Sequence, residues 1–240
     1  MSIENPNGNE AFGDAERKPR GGNVDMVYAA LRDDILELRR TPGEVLDEAE
    51  IAATHGISRS PVREAIVRLT AEGLAQTLKN RGAVVSRLDI EMLPAYFDAQ
   101  ALLFRITSRL AAQRGGQAAA ERLMAIQSRH EEIVAARDPS GVIVNNRLFH
   151  LEIALIGGNR YYYDWLASIL DQGQRIMRLY VRLHEELVPN ERLSFHHALI
   201  EAIRAKDVDA ADRAAAADAQ IVRDEISRQI SEGGSSPMPF

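Results

Sequence analysis

Twenty residues, HGISRSPVREAIVRLTAEGL (55–74), constrain this chain more than any other stretch. Val62, Ala65, Ile66 and Leu69 recur at i, i+3, i+4 and i+7, which draws one apolar stripe along a helix. Arg59 and Arg63 stand one turn apart on the exposed side. Ser58 suits the cap, and Pro61 falls in the first turn, where its missing N–H is not needed. Gly73 closes the helix. Upstream, Glu48–His55 reads as a second short helix ended by Gly56. Before it, Val27, Ala30, Leu31, Ile35 and Leu38 predict an amphipathic helix over 25–40, broken at Thr41-Pro42-Gly43. Downstream, Leu74–Leu78 and Ala83–Leu88 flank Lys-Asn-Arg-Gly, the pattern of a β-hairpin.

Two helices joined by His-Gly-Ile-Ser, the second short and basic, describe a helix-turn-helix, and the hairpin supplies a wing. The second helix fits a major groove, where each base pair shows its own donors and acceptors. Arg59 and Arg63 would offer guanidinium forks to guanine, while Ser58 and Ser60 would donate to phosphate at the helix N-terminus. Arg81 and Gly82 at the hairpin tip would follow the minor groove or its phosphates. Charge distribution agrees better than total charge. The whole chain carries −6, yet residues 51–88 hold six Lys/Arg against two acids, whereas 24–50 hold three Arg against eight acids.

From Ile90 onward helical patterning dominates, with breaks at Gly115-Gly116, Asp138-Pro139, Gly157-Gly158, Val188-Pro189 and near Lys206-Asp207. The expected fold is therefore mainly α: an N-terminal winged helix-turn-helix (three helices plus a β-hairpin) and a C-terminal antiparallel bundle of about six helices. The ends, 1–23 and 232–240, read as disordered tails. No cysteine is present, which excludes disulfides and thiolate chemistry and suits a reducing cytoplasm. No apolar run approaches the ~18 residues of a membrane span, so no membrane partner is expected.

The ordered set LDEAEIA, GISRSPVREAIVRL, EGL and RGAVV resembles the winged-helix domain of GntR-type bacterial transcription regulators over residues 24–88. The resemblance implies operator contacts from Arg59, Ser60 and Arg63 and a close approach by Gly82. Ala49 stands where members often carry a further basic residue. The remainder, 89–231, is similar to the FCD type of GntR effector domain, on NNRLFHLEIALIGGN (145–159) and FHHALIEAIRAKDVDAA (195–211). That likeness implies effector binding, dimerisation and a divalent metal site whose positions are Asn146, His150, His196 and Asp218. Asn146 takes the place of an Asp and Asp218 that of a His; two imidazoles, a carboxylate and an amide suit Zn, Ni or Mn. Gln100 and Phe104 fall where relatives place an effector-binding Arg and a Glu. The remaining histidines, His55, His130, His184 and His197, read as surface or packing residues, and Tyr161-Tyr162-Tyr163 with Trp165 as packing surface. Arg175, Arg178 and Arg182 read mainly as a solvated basic stripe.

Three function classes stay open at this point. The favoured one is a ligand-responsive regulator, a repressor acting as a homodimer on palindromic double-stranded operator DNA and answering a small organic acid. The alternatives are a metal-dependent helical-bundle enzyme, for which no nucleophile–base–orienter set is present, and an architectural DNA-binding protein with no effector.

Overall fold

The computed structural model describes residues 20–79, 82–184 and 192–232. Three helices, α1 (Arg20–Leu36), α2 (Glu48–His55) and α3 (Arg59–Ala71), build the N-terminal unit with strands β1 (Val45–Leu46), β2 (Ala75–Leu78) and β3 (Gly82–Val85). Asp47 caps α2 by accepting the N–H groups of Ala49 and Glu50, at 2.7 and 3.1 Å. Gly56, at φ +64°, ends it in the left-handed conformation that only glycine adopts without strain. Ser58 holds the cap position of α3 in an extended conformation, but its side chain makes no capping hydrogen bond. The expected stripe is the buried one: Val62, Ala65 and Leu69 are fully enclosed, packed with Val27, Leu31, Ile35 and Ile51.

Two expectations need adjustment here. The first helix starts at Arg20, inside the segment read as tail, and stops at Leu36 instead of 40. It stops because Leu38 turns left-handed at φ 54°, and Arg39 N–H bonds back to the Asp34 carbonyl at 2.8 Å. The sheet has three strands, not two, in the order β1-β3-β2, all antiparallel; Val45 pairs with Val84 and Ala75 with Val85. The hairpin tip, Asn80 and Arg81, lies outside the described residues, as do residues 1–19, 185–191 (with the Val188-Pro189 break) and 233–240.

A 3-10 turn at Ile90–Met92 leads into six helices: α4 (Leu93–Arg114), α5 (Gln117–Ala135), α6 (Pro139–Gly157), α7 (Arg160–His184), α8 (Arg192–Ala205) and α9 (Val208–Glu232). The expected breaks at 115–116, 138–139, 157–158 and 206–207 separate them. Central α4 packs against α6, α7, α8 and α9, around a core that includes Leu103, Leu123, Phe149, Leu199 and Ile203. Among the described residues no helix is long and apolar enough to cross a membrane.

Candidate nucleic-acid interface and ligand site

At the reading head Arg59, Ser60 and Arg63 project from the exposed side of α3, with Ser58 exposed at its start. Arg59 makes no ion pair among the described residues, whereas Arg63 is held: its Nε donates to Glu48 Oε1 at 2.9 Å and its Nη2 to Oε2 at 2.6 Å. The Arg63 guanidinium keeps the Glu48 carboxyl below its ordinary range. Gly82 is exposed at φ +74°, where a side chain would be strained. Arg81 lies outside the described residues.

In the bundle His150 of α6, His196 of α8 and Asp218 of α9 converge, each almost wholly buried, with one ligand atom from each lying within 4.8 Å of the others. His150 Nε2 stands 3.3 Å from Asp218 Oδ2, and His196 Nε2 4.0 Å from Oδ1. His196 Nδ1 donates to Gln127 Oε1 at 2.8 Å, which orients the ring with its Nε2 toward the carboxylate. Gln127 is itself oriented by donating to Glu131 at 3.1 Å, and that hydrogen bond, then His197, lowers the Glu131 pKa. Aromatic faces wall the group: Phe104 stacks on His150 at 3.8 Å and Phe149 on His196 at 4.0 Å. His130 is buried 5.5 Å from the His196 ring as a packing residue, and His197 pairs with Glu131 at 2.7 Å on the surface.

One turn before His150, Asn146 lines an adjoining cavity, and its buried Oδ1 has no hydrogen-bond partner among the described residues. Gln100, Tyr96, Arg147, Gln174 and Met177 share that lining. The cavity measures about 30 Å³, room for roughly one water, so any larger occupant must displace side chains. Gly173 permits its shape, because a Cβ there would run into the Tyr96 hydroxyl. Gln100 thus lines the cavity, while Phe104 lies a turn further along α4, against His150. Of the tyrosine cluster, Tyr161 and Trp165 are exposed, while Tyr162 and Tyr163 pack on the core.

The other face of α7 grips the reading head, which corrects the solvated stripe expected there. Arg175 is fully buried; it donates to the Ser86 carbonyl and, at 3.0 Å, to Gln172 Oε1. Burial pulls its pKa down to about 10, and among the described residues no carboxylate pairs with it. Arg178 donates to both oxygens of Glu37, the Nε contact at 3.0 Å, and to Ser140 Oγ at 3.2 Å. Gln172 donates to the Gly73 carbonyl at 3.2 Å. Asp171 accepts from two sides, Arg32 of α1 and cavity-lining Arg147, the latter at 2.8 Å. The side chains of Arg182 and His184 lie outside the described residues. Asp171, Arg147, Glu37, Gln127 and Glu48 all escape a sequence reading, although Gln127, a polar residue four positions after Leu123 on the inward face of α5, carries a faint signal.

Comparison with known proteins agrees with both halves. A family model described as bacterial regulatory proteins, gntR family, matches residues 23–85, and the FCD domain model matches 95–220. An HTH-type transcriptional regulator in an unstable DNA locus of Streptomyces ambofaciens is 28% identical over 84% of both chains. The transcriptional repressor RspR of Escherichia coli is 25% identical over 88% of this chain and 91% of its own. In fold, E. coli McbR superposes with a TM-score of 0.75 at 19% identity, covering 86% of this chain and 98% of McbR. A Rhodococcus GntR regulator gives 0.70 at 21% identity over 90% of this chain and all of its own. These families comprise transcription regulators, not enzymes. With the FCD match alone spanning more than half its length, this chain is a DNA-binding transcription regulator that belongs to the GntR family, with an FCD domain as its C-terminal half.

Proposed function

We propose that the protein is a repressor that binds a palindromic operator as a homodimer and responds to a small carboxylate held beside a divalent metal ion. The observation that carries this reading is the convergence of His150, His196 and Asp218 next to a cavity lined by Asn146 and Arg147. The donor set fits an ion. Gln127 orients His196, Asp218 faces both imidazoles, and the Asn146 amide oxygen is buried without a hydrogen-bond partner among the described residues. Nitrogen and oxygen donors in this mixture suit Zn, Ni or Mn over Mg. When bound, such an ion supplies a Lewis-acid centre for an anionic oxygen of the ligand. Arg147 lines the cavity, and because the Asp171 carboxylate it pairs with is shared with Arg32, the cluster keeps a net positive charge beside the neutral Gln100, which favours an acid over an amine.

On DNA, Arg59 and Arg63 address base edges, Ser58 and Ser60 donate to phosphates, and the wing with Arg81 and Gly82 follows the backbone. One 13-residue reading helix makes too few contacts for operator affinity, which supports pairing of two copies on two half-sites. Repression as the direction of control follows the naming of E. coli RspR as a repressor. Three measurements test the proposal: sedimentation at micromolar concentration, footprinting on a selected operator, and release of that operator by metal with small carboxylates. A monomer that protects one half-site refutes the dimer. An operator complex indifferent to every metal and carboxylate tried refutes the effector reading.

A further inference from the structure

Arg63 offers one edge of its guanidinium to Glu48, through Nε and one Nη2 hydrogen, at 2.9 and 2.6 Å. Because the guanidinium is planar, the far edge keeps two parallel N–H donors, one on Nη1 and one on Nη2, in the spacing that O6 and N7 of guanine accept. Glu48 opens α2, and α2 is fixed at that point by the Asp47 cap. The carboxylate that grips Arg63 is therefore anchored to a second helix and does not drift with α3. The helix N-terminus beside it favours the negative charge.

Stability does not explain the pair. Its side chains are 66% and 31% exposed, and pairs so open to water add little to folding. On the DNA-facing side a carboxylate also works against affinity, because it faces a phosphate backbone of the same sign. Arg59, on the same face, is left without an ion pair among the described residues.

We infer that Glu48 is a positioning residue for base recognition: it holds the Arg63 guanidinium end-on for one guanine in each half-site and keeps it off the phosphates. The inference rests on α3 being the base-contacting helix. Glu48 thereby trades general affinity for discrimination. Its removal acts in opposite directions on the two: Arg63 becomes free to swing to the backbone, and the guanine contact loses its fixed geometry.

The test is selection of binding sites from a randomised duplex pool by the full-length protein, with wild type, Glu48→Gln, Glu48→Ala and Arg63→Ala. Mobility-shift titrations of the selected and an unrelated duplex at several salt concentrations follow. Glu48→Ala is expected to lower the guanine preference about fivefold or more, at the single base-pair position that Arg63→Ala erases. It should bind unrelated duplex at least as tightly as wild type, with a log–log salt slope steeper by about one. Glu48→Gln, which can still accept one of the two hydrogen bonds and keeps the shape, should restore part of the preference. An unchanged preference in Glu48→Ala overturns the inference, and so does a loss spread evenly over all positions, which marks a merely structural role. If Arg63→Ala itself leaves the selected sequence unaltered, the assignment of α3 as base reader falls with it.

Discussion

Replacing Asp171 by Asn removes one charge from the junction between reading head and bundle while keeping the side chain's shape. Asp171 is only 9% exposed at its side chain and is shared by Arg32, 26% exposed, and Arg147, 20% exposed. Breaking a fully buried ion pair by neutralising one partner costs about 3–5 kcal/mol, and an exposed pair about 0–1. This cluster lies between those limits, and the amide still accepts one hydrogen bond, so the loss should be about 2 kcal/mol. For a chain of this length that lowers the melting temperature by roughly 4–8 °C. The assay is thermal and urea denaturation of Asp171→Asn, Arg32→Met and the double variant, with hydrogen exchange followed along α1. Because Arg32 and Asp171 touch, the double variant should lose less than the sum of the singles by about 1 kcal/mol. α1 should exchange faster in each. Additive losses, or a melting shift under 1 °C with α1 still protected, would refute the argument that Asp171 joins the two halves.

At the reading head, Arg63→Ala should reduce binding to a selected operator roughly tenfold or more while leaving a scrambled duplex nearly unaffected; equal losses on both sink the base-reading role. Gly82→Val, at a position with φ +74°, should weaken binding to all sequences alike and spare base preference. In the bundle, Asn146→Asp should tighten divalent-metal binding because a carboxylate offsets the ion's lost hydration better than an amide, and His150→Ala should abolish it. The rise in melting temperature on adding metal should grow in Asn146→Asp and vanish in His150→Ala, whatever the loss of the buried imidazole costs the apo protein, and calorimetry showing no binding in any of the three proteins rejects the site. Acid should destabilise the reading head. Asp47, held low by the Glu50 and Ala49 N–H groups, contributes stability that is present above the ordinary carboxylate value near 3.8 and disappears as pH falls through the lowered one. Urea midpoints at pH 7 and pH 3 should therefore differ less in Asp47→Ala than in wild type, and an equal drop contradicts this.

Local signals were the legible ones. The α2 limits, the Val62–Leu69 stripe and most of the bundle breaks depend on neighbours within a few residues, where helix periodicity and glycine or proline speak directly. Strand β1 was hidden because two residues carry no alternation, and Val45 becomes strand only through its partner Val84. The same logic separates the site residues. His150 and His196 could be paired from the family likeness, whereas Gln127, which orients His196, lies 69 residues away on α5. Arg175 and Arg178 look like a solvated stripe in sequence because their partners, the Ser86 carbonyl and Glu37, lie 89 and 141 residues distant. Glu48 reads as an ordinary first-turn acid until folding sets it against Arg63.

The junction on α7 mixes two kinds of grip, and they differ in how they would survive a change of reading head. Gln172 and Arg175 hold the backbone carbonyls of Gly73 and Ser86, which any winged domain of the same shape presents whatever its residues. Asp171 and Arg178 hold side chains, Arg32 and Glu37, which a borrowed domain need not carry. A chimera that sets a foreign winged domain on this bundle would keep the first pair of contacts and forfeit the second. Among the described residues, the bundle would then bury the Arg178 cation and the Asp171 anion with only Gln174, Ser140 and Arg147 left to answer them. Installing Arg and Glu at the two matching positions of the incoming first helix should be enough to make such a graft fold as one piece.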